Sequence, residues 1–308
     1  MTGKLELDII GLKLKNPTIL ASGFLGVSGK IMKRVAESGA GAVTTKSIGL
    51  ETRIGHPNPS VIDFGFGIMN AIGLSNPGYK IFGDEIKIAK ESGVPVIASI
   101  FGNNPEDFVT VAQGVEKYEP DAIELNISCP NLKKGEILGE LIGKDPDLSY
   151  DVVKAVKENV KLPIITKLTP NVNDIRVIAK AIERAGTDAI SAINTLGPGM
   201  LINIHAGRPV LANKFGGVSG PAIHPIAVKC VYDIYETVKV PIIGIGGISD
   251  GINAVEMMMA GASAIGIGSA IYYRGIDVFK KVSDEMIEFL DSHNYSNVKE
   301  IVGMAHRD

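Results

Sequence analysis

The chain has 308 residues, 45% of them hydrophobic and 21% charged, proportions of an ordinary globular protein that exclude a disordered or fibrous chain. That length suits two domains or a single α/β barrel. With 31 Lys and Arg against 34 Asp and Glu, the formal charge is −3 and no basic block stands out, which argues against an extended nucleic-acid footprint.

In chain order, the opening MTGKLELDIIGLKLKNP mixes charges among its apolar residues and lacks the apolar core of a secretory signal, so a cytoplasmic protein is expected. Short β-branched runs then alternate with amphipathic helical patterns. Strands are expected at 18–21, 42–47, 96–101, 122–127, 164–169, 189–194, 242–245 and 264–268. Helices follow them near 29–38, 78–91, 105–118, 148–159, 173–185, 223–237, 250–260 and 275–290. Eight such pairs predict a closed (β/α)8 TIM barrel rather than an open sheet, with residues 1–308 forming one domain. The uncharged stretch 257–273 is interrupted by Gly261, Gly266 and Gly268 and reads as buried strand and turn, not as a membrane span. After residue 290 one more short helix is expected, capped by Ser296.

The phrases that lead into strands two to eight alternate in kind. The even ones read GAGAV, PDAI, GTDAI and GASAI, and the odd ones VPVI, LPII and VPII. A duplicated two-strand unit would leave such a pattern, and so would common helix-stop chemistry. The segments after strands two, four and six are long, at 48–77, 130–147 and 196–222. Structureless loops beyond about 12–15 residues are usually functional, and these leave the strand ends where barrel enzymes place their sites.

Polar residues gather at those ends: Ser22, Lys46, Ser47, Ser99, Asn126, Ser128, Cys129, Lys167, Asn194, Thr195, Gly246, Gly247, Gly268 and Ser269. The last two strands close in IIGIGGISDG and AIGIGSA, glycine turns ahead of helices, where backbone N–H groups can approach a phosphate. FMN or a phosphorylated substrate would fit this equally well. Lys46 and Lys167 end apolar strands, where a desolvated ammonium calls for an anion. Cys129 follows ELNIS at the rim of strand four, suited to act as base or nucleophile, with no histidine placed beside it. Cys230 lies in a helical pattern and reads as core. Two cysteines cannot build a four-cysteine zinc site or an iron-sulfur cluster, so any such cluster would be on another chain. Asn70, Asn126, Asn131 and Asn194, on four segments, would offer amides to a planar, amide-rich ligand such as a pyrimidine.

With ASGFLG at 21–26, KSI at 46–48, GIMNAIGLSNPG at 67–78, NISCPN at 126–131, KLTPNVNDI at 167–175, INTLGPGM at 193–200 and RPVLANKFGGVSGPAIHPIAVKCVYDIY at 208–235, the chain resembles the class 1 dihydroorotate dehydrogenases, specifically the class 1B catalytic subunit. The resemblance implies oxidation of (S)-dihydroorotate to orotate on FMN in pyrimidine biosynthesis. It implies that Cys129 removes the C5 proton while hydride leaves C6 for flavin N5, that Lys167 stabilises the reduced flavin, and that Lys46 meets flavin and substrate. Orotate contacts are implied for Asn70, Ala71, Ile72, Gly73, Leu74, Asn126, Asn131, Asn194 and Thr195. FMN contacts are implied for Ser22, Ser47, Asn126, Ile193, Gly220, Gly246, Gly247, Gly268 and Ser269, while Ser99 falls where relatives often carry Asn. Also implied is a homodimer joined to an electron-transfer subunit, which carries FAD and an iron-sulfur cluster and passes electrons to NAD, as a heterotetramer.

Class 1A relatives work instead with fumarate, and class 2 relatives use serine as the base and carry an N-terminal extension. A tRNA-dihydrouridine synthase would also place FMN and a cysteine at the strand ends, but should show a basic face and an added C-terminal helical domain. A phosphate-binding scaffold would leave Cys129 and both mouth lysines idle.

Overall fold

The alternating phrases have a hydrogen-bonding logic that the computed structural model, which describes residues 3–127 and 142–307, makes visible. Eight parallel strands form a closed barrel: β1 (Thr18–Leu20), β2 (Ala42–Thr44), β3 (Val96–Ile100), β4 (Ala122–Asn126), β5 (Ile164–Leu168), β6 (Ala189–Ala192), β7 (Ile242–Ile245) and β8 (Ala264–Ile267), with β8 paired back onto β1. Each odd strand is preceded by a proline. Having no N–H of its own, proline still offers a carbonyl, and Pro17, Pro95, Pro163 and Pro241 accept from Ile265, Val43, Ile123 and Ile190 of the even strands. The aspartates of the even phrases answer in the other direction. Asp121 accepts from the Val96 N–H at 2.8 Å and Asp188 from that of Ile164 at 2.7 Å. Proline before one strand and aspartate before the next therefore staple neighbouring strand starts, at the end of the barrel opposite the long loops.

Helices cover the outside: α1 (Gly29–Glu37), α2 (Tyr79–Lys90), α3 (Pro105–Glu116), α4 (Pro146–Asn159), α5 (Ile175–Arg184), α6 (His224–Tyr235), α7 (Gly251–Met259) and α8 (Val278–Ser292). Four of them begin at a side-chain cap. Asn104, Asp145, Asp174 and Asp250 each accept a first-turn N–H, satisfying donors that the helix leaves unpaired. The apolar stripes of these helices and the strands form one large cluster, in which Phe82, Phe108 and Phe279 are the bulkiest buried side chains.

Three local expectations need correction. The segments 48–77 and 196–222 are not structureless, because Leu196–Gly199, Gly216–Ser219, Ile68–Asn70 and Val61–Asp63 pair as a four-stranded antiparallel sheet. These strands are short, and the pairing that joins the two hairpins, Ile68–Asn70 with Gly216–Ser219, spans about 150 residues, so no local alternation announces the sheet. Two short 3-10 turns follow residue 290 where one was expected, Val298–Ile301 and Met304–His306; the first is capped by Asn297 in a reciprocal box with Glu300, and Ser296 only donates its N–H to that carboxylate. The pattern expected at 275–290 is preceded by a separate turn, Ala270–Arg274, which ends at Gly275 with φ at 84°. A hairpin of Leu7–Ile9 and Leu12–Leu14 was also not anticipated; it sends Leu7, Ile9, Leu12 and Leu14 into the core. The far part of the long segment 130–147 leads into α4, and residues 128–141 lie outside the described part of the chain.

Candidate active site

A cleft opens where the strands run out at their C-terminal ends. It encloses about 1250 Å³ of atom-free space, part of it open to solvent, against about 300–1,000 Å³ for typical ligand pockets. Ser22 after β1, Lys46 and Ser47 after β2, Asn126 of β4, Lys167 of β5, Ile193, Asn194 and Thr195 after β6, Gly246 and Gly247 after β7, and Gly268 and Ser269 after β8 all line it. The antiparallel sheet forms the opposite wall. Through it Asn70, Ile72, Gly73, Leu74 and Gly220 reach the same space, together with Val61, Ile68 and Ser219.

The floor is tied by side-chain hydrogen bonds. Asn126 Nδ2 donates to Ser47 Oγ at 2.9 Å, and Ser47 Oγ lies 3.0 Å from Ser99 Oγ and 3.3 Å from Ser22 Oγ. Asn194 Nδ2 donates to Asn126 Oδ1 at 3.3 Å, and its own Oδ1 accepts from the Thr195 N–H at 2.8 Å. Five strand ends are thus linked, so the amides and hydroxyls facing the cleft are held rather than free to rotate. Ser99 and Ala71 do not line the cleft. Ser99 is fully buried beneath Ser47, and Ala71 packs with Met69 and Leu211. Cys129 and Asn131 lie outside the described residues.

Lys167 is 4% exposed, and Glu124 is the carboxylate beside it, with Nζ and Oε1 3.9 Å apart. Glu124 is absent from the sequence-level reading of the site. Its signal was present, since in IELNI it stands two residues before Asn126 and so on the same side of the strand.

The glycine turns after β7 and before α6 interlock. Gly220, Gly246 and Gly247 have φ of 97°, 141° and 67°, and a Cβ on Gly247 would lie 2.7 Å from the Gly220 carbonyl oxygen. Only glycine fits such a turn and such an approach. His224, at the start of α6, places Nδ1 2.8 Å from the Gly246 carbonyl oxygen, bracing the turn from behind. Among the described residues, no acceptor takes the backbone N–H of Gly247, Ile248 or Ser269, all three of which line the cleft. Three unpaired donors beside cavity-lining glycines suit a phosphate.

Cys230, on α6, is half-buried and lies away from this cleft; burial first, and then the charge of Asp233, pushes its thiol up to about 11. That thiol is not a base near neutral pH.

A family model described as dihydroorotate dehydrogenase matches residues 4–290. This chain belongs to the dihydroorotate dehydrogenase family. It is 53% identical over 306 residues to the dihydroorotate dehydrogenase B (NAD(+)) catalytic subunit of Methanocaldococcus jannaschii, covering 98% of both chains. The subunit of the same name from Methanocella arvoryzae is 52% identical, with 99% of this chain and 98% of that one covered. Among solved structures, the dihydroorotate dehydrogenase of Eimeria tenella in complex with ferulenol superposes with a TM-score of 0.86, covering 99% of this chain and 89% of that one at 23% identity, which attests the barrel fold. No helix among the described residues is long and apolar enough to cross a membrane.

Proposed function

We propose that the protein oxidises (S)-dihydroorotate to orotate in pyrimidine biosynthesis as an FMN-dependent catalytic subunit. The observation that carries this reading is one cleft, in a member of this family, that joins three unpaired backbone donors, two lysines and three asparagines.

The residues present fit a flavin mononucleotide. Gly247, Ile248 and Ser269 supply donors for the phosphate, with Gly220, Gly246 and Gly268 leaving room beside them. Ser22, Ser47, Asn126, Lys167 and Ile193 form the floor on which the ring system would rest. Bound FMN supplies the hydride acceptor for C6 of the substrate. Lys167 offsets negative charge at the floor. Asn70, Asn126, Asn131, Asn194 and Thr195, with Lys46 and the backbone of 71–74, orient a planar ring whose edge carries amide donors, acceptors and a carboxylate. Cys129 takes the C5 proton as general base; a thiol ordinarily titrates near pH 8.5 and a nearby cation brings it closer to neutral.

The relatives are named as catalytic subunits for NAD(+). In this reading the electrons pass to NAD through a partner subunit that carries FAD and an iron-sulfur cluster, with a homodimer of this chain at the centre of a cytoplasmic heterotetramer.

The test uses the purified chain alone. Its absorption spectrum should show bound flavin, and anaerobic dihydroorotate should bleach that band and yield orotate. A chain that binds no FMN overturns the cofactor, and a flavin-bound chain that stays yellow overturns the substrate.

A further inference from the structure

Beneath the cleft floor lies a second polar layer that the reaction as described does not use. Glu124 of β4 is one inward-facing position deeper than Asn126, and Ser191 of β6 donates its hydroxyl to Glu124 Oε2 at 2.9 Å. The other oxygen, Oε1, has no hydrogen-bond partner among the described residues and stands 3.9 Å from Lys167 Nζ, with the two side chains 5% and 6% exposed. At that separation the attraction is coulombic and no hydrogen bond forms, so the ammonium keeps its N–H groups for the cleft. Burying a carboxylate is costly, and burial leaves its field little screened. Ser191 anchors the carboxylate through Oε2.

We propose that Glu124 is a positioning residue for Lys167: anchored by Ser191, its charge holds the ammonium at the cleft floor and offsets part of the positive charge that Lys167 presents to a ligand. The inference rests on the reading that this cleft takes FMN. A flavin gains negative charge on reduction, so a less compensated lysine favours the reduced form. Glu124→Gln keeps the shape and an acceptor for Ser191 but removes the charge. It should therefore raise the midpoint potential of the bound flavin, by at least the ~30 mV that corresponds to a tenfold change for a two-electron couple. Ser191→Ala frees the carboxylate to close on Lys167 and should lower the potential.

The experiment is a redox titration of purified, flavin-bound wild type and variants against a dye of known potential. A rise for Glu124→Gln supports the proposal, and an unchanged or lowered potential overturns it. A merely structural Glu124 would weaken flavin binding without that rise. If Glu124→Gln does not fold, Ser191→Ala decides: a fall supports the proposal, and no change or a rise overturns it. A wild-type chain that takes up no FMN instead overturns the cofactor reading, so the two failures are told apart.

Discussion

The side-chain amide of Asn126 donates to Ser47 Oγ at 2.9 Å, joining the end of β4 to the segment after β2 across the barrel mouth. Both residues line the cleft, whereas Ser99, which shares the same Ser47 hydroxyl, is buried behind it. These two of the three partners of Ser47 should therefore fail differently. Asn126→Ala should weaken FMN binding by about tenfold, because a held amide is lost from the floor, one tenfold step being about 1.4 kcal/mol. Ser99→Ala should cost about 1 kcal/mol of stability through its lost hydrogen bond and change FMN affinity by less than about threefold. Flavin titration and thermal unfolding of both variants check this. A Ser99→Ala variant that loses affinity as Asn126→Ala does would put Ser99 in contact with the ligand.

Lys167 is the buried cation at the floor, and hydrogen bonds to charged groups are worth about 1.5–3 kcal/mol. Lys167→Ala should weaken FMN binding by about ten- to a hundredfold, the same energy range expressed as affinity. Its bound flavin should also be reduced more slowly by dihydroorotate. Stopped-flow reduction and equilibrium titration read the two effects separately. Wild-type values in both would remove Lys167 from the ligand contacts.

The two cysteines should separate by reactivity. With its thiol pushed up to about 11, Cys230 is almost wholly protonated at pH 8, and thiolate is the reactive form. A thiol reagent at pH 8 should modify Cys129 first in the native protein, and orotate should slow that modification. Cys129→Ser should leave only slow labelling. It should keep FMN bound and lose most turnover near neutral pH, since a hydroxyl is a far weaker base. Rapid labelling of Cys129→Ser, or near-wild-type turnover by it, would count against the assignment.

The barrel was legible because its signals are local. Six of the eight strand starts carry a proline or an aspartate, and the helices carry apolar stripes, four of them with a side-chain cap. Most of the cleft lining was legible for a related reason, since a residue at a strand end is placed by the strand itself. The antiparallel sheet escaped because Ile68–Asn70 and Gly216–Ser219 are too short to show a period and pair across a long sequence distance. Glu124 escaped because a single carboxylate within an apolar strand looks like an isolated exception until Lys167 and Ser191 are brought beside it.

The turn that carries Gly246 and Gly247 is held from its far side by an ion pair, which ties the cleft to pH. Arg274 donates Nη2 to Glu285 Oε1 at 2.6 Å and Nη1 to the Ser249 carbonyl at 2.8 Å, while Glu285 Oε2 accepts from the Gly251 N–H at the start of α7 at 2.6 Å. The Arg274 hydrogen bond first, then that from Gly251, holds the Glu285 carboxyl below its usual value. A carboxylate lowered on folding contributes stability that is present above its unfolded value, near 4.5, and is lost as pH falls through the folded one. Half-exposed ion pairs are screened, so Glu285→Gln should cost only about 1 kcal/mol at pH 7. That cost should shrink as pH drops below about 4.5, where the unfolded chain's carboxylate takes up its proton before the folded one does. Urea unfolding of both proteins between pH 7 and pH 3.5 measures the gap directly. A gap that stays constant over that range would show that Glu285 acts through shape alone, and that its charge does not hold the turn.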